Sequence, residues 1–166
     1  MKHKSIIIAG ASAFLLLFAS CNNSDQSAAA ADTVGDDGIR TIAITGNDQL
    51  QFNINEITAE AGEKLRIELT NIGRMPKQSM GHNWVLLKKM PEDEANAFAM
   101  AAATKPPEYL PDDQSVVLFH TKMLGPGETD TIEIVVPDEA GDYPYLCTFP
   151  GHFAIMRGIL TVTSSD

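Results

Sequence analysis

The strongest constraint on this chain is a two-residue rhythm. Apolar and polar side chains alternate through residues 41–45, 52–55 and 65–70. Successive side chains of an extended strand face opposite sides, so each such run can bury only one face. Comparable runs recur at 82–87, 115–120, 130–136, 142–147 and 159–162. Gly46-Asn47-Asp48 and Ala61-Gly62-Glu63 interrupt the rhythm with residues that tolerate tight turns. Eight short, half-buried strands must cover one another, which predicts an all-β sandwich or barrel. With only two cysteines, Cys21 and Cys147, a disulfide framework is excluded and an apolar core has to hold the fold.

One stretch follows a different period. Pro91-Glu92-Asp93-Glu94 precedes an Ala- and Met-rich run to Thr104, and Pro106-Pro107 closes it. Proline in a first turn, acids near the positive end of the helix dipole and good helix formers behind them predict a single inserted helix. It is expected to pack on the outside of the sandwich through Phe98 and neighbouring Met and Ala side chains.

The first residues read differently. Lys2 and Lys4 precede an apolar run at 6–18, the pattern of a secretory signal over residues 1–20. Leu17-Phe18-Ala19-Ser20-Cys21 resembles a lipobox, which makes Cys21 the expected site of lipidation and the membrane anchor. Residues 21–39 are poor in large apolar side chains and are expected to form a flexible tether, leaving 40–166 as the folded domain. The expected location is therefore outside the cytoplasm, on the periplasmic face of a bacterial membrane or at the cell surface. A formal net charge of −10, with no local basic cluster, excludes an electrostatic grip on nucleic acid.

The chemistry-bearing residues concentrate near the end of the chain. Cys147, His152 and Met156 are spaced by five and four residues, so a thiolate, an imidazole and a thioether can converge from one loop. A trigonal His2Cys set with a weak axial Met is the donor pattern of blue-copper electron-transfer sites. A second histidine is needed, and spacing leaves His82 and His120 as candidates. His82 sits in Met80-Gly81-His82-Asn83-Trp84, where Gly81 permits close backbone approach.

These motifs resemble those of the azurins in the cupredoxin family: Gly81-His82-Asn83-Trp84-Val85-Leu86, Cys147-Thr148-Phe149-Pro150-Gly151-His152 followed by Met156, and also Gly46-Asn47-Asp48-Gln49 and His120-Thr121-Lys122. The resemblance spans residues 40–163. It implies an eight-stranded Greek-key β-sandwich with an external helical flap and one copper ion in a type 1 site. His82, His152 and Cys147 would be equatorial ligands, Met156 a weak axial ligand, and the Gly81 carbonyl a distant opposite contact. Asn83 would tie the ligand loops together, and the Phe149 amide would donate to the cysteine sulfur. The implied activity is single-electron transfer, without an enzymatic reaction, to redox partner proteins such as cytochromes or copper or haem reductases. Docking would use an apolar patch of Leu50, Met75, Met80, Phe149, Pro150 and Ala154. A copper-binding or copper-delivery protein would use the same ligands and is the alternative. His120 is then left as a surface histidine, and Trp84 as a core residue.

One departure stands out. Azurins commonly carry a disulfide whose matching positions here are near Arg40 and Glu63, neither of them cysteine. An Arg40–Glu63 ion pair is the natural substitute, although an exposed pair contributes only about 0–1 kcal/mol.

Overall fold

The computed structural model describes residues 32–165; the expected signal segment and Cys21 lie outside the described residues. Two sheets face each other. The first runs in the order β1 (Asp32–Val34), β2 (Arg40–Gly46), β4 (Lys64–Asn71) and β7 (Thr129–Val135). The second runs β3 (Glu56–Glu60), β9 (Arg157–Thr163), β8 (Gly141–Leu146), β5 (Val85–Leu87) and β6 (Val117–His120). β2 pairs parallel to β4 and β3 parallel to β9, while the remaining pairs are antiparallel. The β4–β7 and β5–β8 neighbours, distant in sequence, are the crossovers of a Greek-key sandwich.

The alternating rhythm becomes the core. Leu65, Ile67 and Leu69 of β4 and Ile42 and Ile44 of β2 point inward to share a core with Leu86, Tyr145, Leu160 and Val162 of the other sheet and with Trp84 just before β5. Each large side chain buried in this way contributes roughly 1.5–3 kcal/mol. Helix α2 (Glu92–Ala102) is the inserted flap, with Pro91 as its N-cap and three acids in its first turn. Ala95, Ala99 and Ala102 form its buried stripe, and Ala95 and Ala99 belong to a second cluster with Val85, Leu87 and Leu146. Phe98 packs against that cluster as expected, whereas Met100 faces solvent.

Four local differences from the sequence reading have physical causes. The strands number nine among the described residues, not eight, because Asp32–Val34, expected in the tether, pairs antiparallel with β2. All three of its residues are exposed, so backbone hydrogen bonds rather than apolar burial hold it, and no hydrophobic pattern marks it. Residues 52–55 are not a strand: Phe52 makes one isolated bridge to Gly46. There the Asn53 carboxamide binds the Thr45 amide and the Ala43 carbonyl, a side chain taking the place of a ladder partner. The strand expected at 82–87 is shortened to β5, since the Trp84 amide donates to the Thr121 hydroxyl. A single helical turn, α1 (Lys77–Met80), leads into Gly81 and was not foreseen.

The Arg40–Glu63 pair is present and bidentate, at 2.8 and 3.2 Å. Arg40 also donates to the Thr58 carbonyl and to Asp32, so it staples β1, β2 and β3. Burial alone would raise the Glu63 pKa, but the guanidinium and the Glu60 amide outweigh it and hold the carboxyl below its usual value.

Candidate metal centre

β8 and β9 form an antiparallel hairpin whose last pair is Leu146↔Arg157. Cys147 is the next residue, and its amide donates to the Met156 carbonyl at 2.9 Å. The connecting loop is therefore clamped at its base. It turns at Gly151, whose φ of 82° favours glycine, and enters a 3-10 turn over His152–Ala154. The His152 amide donates to the Phe149 carbonyl and the Met156 amide to the His152 carbonyl, so the three donors are held by the loop's own backbone.

The fourth residue arrives from elsewhere. His82 follows α1 and Gly81, and it exchanges both backbone hydrogen bonds with Leu124, at 3.0 and 2.7 Å. This long-range bridge brings one ligand atom each from His82, Cys147 and His152 within 4.8 Å of one another. His120 is exposed, and its Nδ1 lies against the Thr121 carbonyl. His82 is thus the histidine of the cluster. Trp84 is fully buried in the main core.

The donor set fits a soft metal ion. Cys147 Sγ lies 3.6 Å from His152 Nδ1 and 4.0 Å from the Gly81 carbonyl oxygen. Bonds of about 2.3 Å to sulfur and about 2.0 Å to nitrogen, opened to a tetrahedral or trigonal angle, set two such ligands roughly 3.5–3.7 Å apart. Among the described residues neither ring nitrogen of the fully buried His82 reaches hydrogen-bond geometry, although the Asn47 carbonyl faces the ring. One carbonyl can serve at most one ring nitrogen, and a buried nitrogen left over is costly unless something else satisfies it. Met156 is buried beside this group, in a small cluster with Met123, Cys147 and Phe149.

Burial sets the protonation of the metal-free site. It lowers the pKa of His82, the Asn47 carbonyl partly opposing it, and with help from His82 it depresses His152 to about 4. Both imidazoles are therefore neutral and able to ligate. Burial pushes the Cys147 thiol up to about 12, against the Asn83 and Phe149 backbone amides, which favour the thiolate. A bound cation has to displace that proton.

The surroundings hold the loops close together. Asn83 Nδ2 donates to the Thr148 hydroxyl at 2.7 Å, and the Thr148 amide returns a bond to Asn83 Oδ1 at 2.9 Å. Phe149, 7% exposed, lies between the Tyr109 and His152 rings, with centroids 5.0 and 4.6 Å away. Of the remaining patch residues, Met75, Pro150 and Ala154 are exposed, while Leu50 and Met80 are half-buried. Ile155 in the same loop is 59% exposed and was not anticipated.

Two glycines are shaped by the site. A Cβ on Gly46 would lie 2.8 Å from the Met156 methyl and 3.0 Å from the His82 ring. One on Gly81 would meet the Lys77 carbonyl and the Met123 sulfur, each at 2.9 Å. The sequence marks Gly81 through the His82 motif beside it, whereas around Gly46 it shows turn chemistry and a shared motif, with nothing local to say which side chains cross it.

The sequence profile described as "Copper binding proteins, plastocyanin/azurin family" matches residues 40–163. The chain belongs to that family. It is 40% identical to azurin of Pseudomonas aeruginosa over 125 residues, covering 74% of this chain and 84% of the relative. Azurin-1 of Alcaligenes xylosoxydans xylosoxydans is 41% identical over 123 residues, covering 72% and 95%. Among solved structures, auracyanin A of Chloroflexus aurantiacus, described as a "blue" copper protein, superposes with a TM-score of 0.68 at 34% identity, over 74% of this chain and 98% of that one. In this plastocyanin/azurin-family fold, His82, Cys147 and His152 form a buried group able to hold copper.

Proposed function

We propose that this protein is a blue copper electron carrier, tethered outside the cytoplasm through a lipid on Cys21. The observation that carries the reading is the convergence of buried His82, Cys147 and His152, one ligand atom of each within 4.8 Å of the others. Met156, buried beside Cys147, would add a weak thioether donor to a copper ion held there, and the Gly81 carbonyl a more distant contact. Copper held there supplies one-electron chemistry between Cu(II) and Cu(I).

The protein's own residues do the rest. Soft sulfur donors suit Cu(I) while imidazoles suit both oxidation states, so one fixed set serves the two. The clamped hairpin loop and the His82–Leu124 bridge keep the donors in place. Of the four side chains only His152 touches solvent, at 4% exposure, so it is the route by which electrons enter and leave. Full burial of the other three favours retention of the ion over delivery to another protein. Adding Cu(II) to the purified protein tests the reading: an intense visible band that survives cycles of reduction and reoxidation is expected. A colourless complex, or rapid loss of the ion on reduction, would sink it.

The partners are redox proteins that dock over His152 on the patch of Leu50, Met75, Met80, Phe149, Pro150 and Ala154. An apolar patch in an otherwise acidic surface lets a partner approach closely and leave quickly. Introducing Lys or Glu at Met80 is expected to slow electron self-exchange while leaving the visible spectrum unchanged. Self-exchange measured at low and high salt checks this, and unaltered rates in both variants would remove the patch from the mechanism.

The anchor is testable separately. A single acyl chain gives only marginal membrane binding, whereas two or more hold firmly. Cys21→Ala is therefore expected to move the protein from the membrane to the soluble fraction and to abolish the added lipid mass. Unchanged mass and fractionation would refute lipidation at Cys21.

A further inference from the structure

We infer that Asn71 is a positioning residue for the copper site, clamping the His82 backbone from behind. The inference rests on the copper reading above for its spectroscopic consequences, though not for its geometry. Asn71 ends β4, at the inward phase of the strand where Leu65, Ile67 and Leu69 precede it. A carboxamide in that phase is fully buried, and burial of an amide is tolerated only if its polar atoms are paired.

They are paired to the segments that bear His82. Asn71 Nδ2 donates to the Leu124 carbonyl at 3.0 Å and to the Met80 carbonyl at 3.4 Å, while Oδ1 accepts the Gly73 amide at 2.9 Å. The Leu124 carbonyl is the acceptor for the His82 amide, and Met80 lies two residues before His82. One side chain therefore grips both the bridge that holds His82 and the turn that leads into it. The backbone of Asn71 is fixed as well, through Glu128 and Gly127.

This grip matters because a buried ring is aimed largely through its own backbone. The Asn47 carbonyl faces the His82 ring, which packs against Gly46 and the His152 ring, and the main chain that carries it is held by Leu124 and Asn71. Ligating histidines are ordinarily aimed by a hydrogen bond on the second ring nitrogen, and loss of such support weakens metal binding by about 10–100-fold. In this chain Asn71 adds support from the main-chain side, through the Met80 and Leu124 carbonyls.

The test uses Asn71→Leu, which keeps the volume and removes every side-chain bond, and Asn71→Ala, in which water can enter if the Leu variant does not fold. Tyr143→Phe, which deletes a bond to the Glu139 carbonyl at the far end of β8, serves as the remote control. In metal-free protein, amide hydrogen exchange at His82 and Leu124 should accelerate by more than about tenfold relative to Ile67, because their mutual bridge has lost its backing. In loaded protein, Cu(I) affinity measured by chelator competition should fall by about 10–100-fold and the Cu(II) electron paramagnetic spectrum should change, with both unaffected in the control. A loss of melting temperature accompanied by wild-type exchange at His82, wild-type Cu(I) affinity and a wild-type spectrum would overturn the inference. If the wild-type protein forms no coloured complex, the copper reading fails instead, and the metal-free exchange measurement still decides the clamp.

Discussion

Replacing Cys147 by Ser is expected to abolish the intense colour of the Cu(II) protein while leaving the metal-free domain folded. The colour would arise from thiolate-to-copper charge transfer, and a serine hydroxyl supplies neither the soft donor nor the accessible anion. The fold survives because Cys147 belongs to a small satellite cluster, not to the main core between the sheets. A buried hydroxyl costs about 1–3 kcal/mol when unpaired, and the nearby Asn83 and Phe149 amides that favour the thiolate can offset part of that. Visible absorption of the copper-loaded variant and thermal melting of the metal-free one are the two measurements. Retained colour would mean that Cys147 is not a ligand, and an unfolded variant would make it a structural residue.

How much of this was legible in the sequence depends on the range of the interactions. Leu65, Ile67 and Leu69 announce an inward face because the period of a strand is local, and the buried positions of β4 follow it without exception up to Asn71. Cys147, His152 and Met156 were legible for the same reason, lying within ten residues on one loop. The choice between His82 and His120 was not local. It is made by the bridge to Leu124, which no spacing reports; Gly81 beside His82 was a hint, and the resemblance to azurins pointed to His82.

The misses share a cause, namely polar groups that do the work of apolar ones or of the backbone. Asp32–Val34 is a strand without a buried side chain, so a hydrophobic pattern cannot reveal it. Asn53 looked like one position of a strand but substitutes its carboxamide for a ladder partner, which displaces β3 to Glu56–Glu60. Asn71 did leave a signal: a polar residue at an inward phase of a strong strand has to be paired to something, and here it is paired to the ligand segment. Arg40 and Glu63 could be paired from sequence only through the family's usual disulfide; the further bonds from Arg40 to Thr58 and Asp32 required the fold.

Gly158→Ala is expected to be among the most destabilising single substitutions in the domain. Gly158 pairs with Tyr145 across β8 and β9, and the tyrosine ring folds over it. A Cβ there would overlap the ring's Cζ and hydroxyl oxygen and also the Asn55 carbonyl oxygen. The ring has no alternative place: Tyr145 is fully buried, 5.5 Å from Trp84 and 5.9 Å from Phe52, and its hydroxyl donates to the Ile54 carbonyl. The carbonyl is equally fixed, because it accepts the Ile159 amide that aligns β3 with β9. Overpacking of this kind costs roughly 1–3 kcal/mol and sometimes more, and two immobile obstacles place Gly158→Ala at or above the top of that range. The damage should also reach the metal site. Tyr145 lies two residues before Cys147 and Gly158 two after Met156, so splaying this pair strains the bond from the Cys147 amide to the Met156 carbonyl. Thermal melting should therefore drop by several degrees or more, and the copper spectrum of the folded fraction should shift. Adding Tyr145→Ala removes the ring but not the Asn55 carbonyl, so the double variant should recover only part of the deficit that Gly158→Ala adds. Wild-type melting in Gly158→Ala would show that β8 and β9 can separate freely there, and complete relief in the double variant would assign the whole clash to the ring.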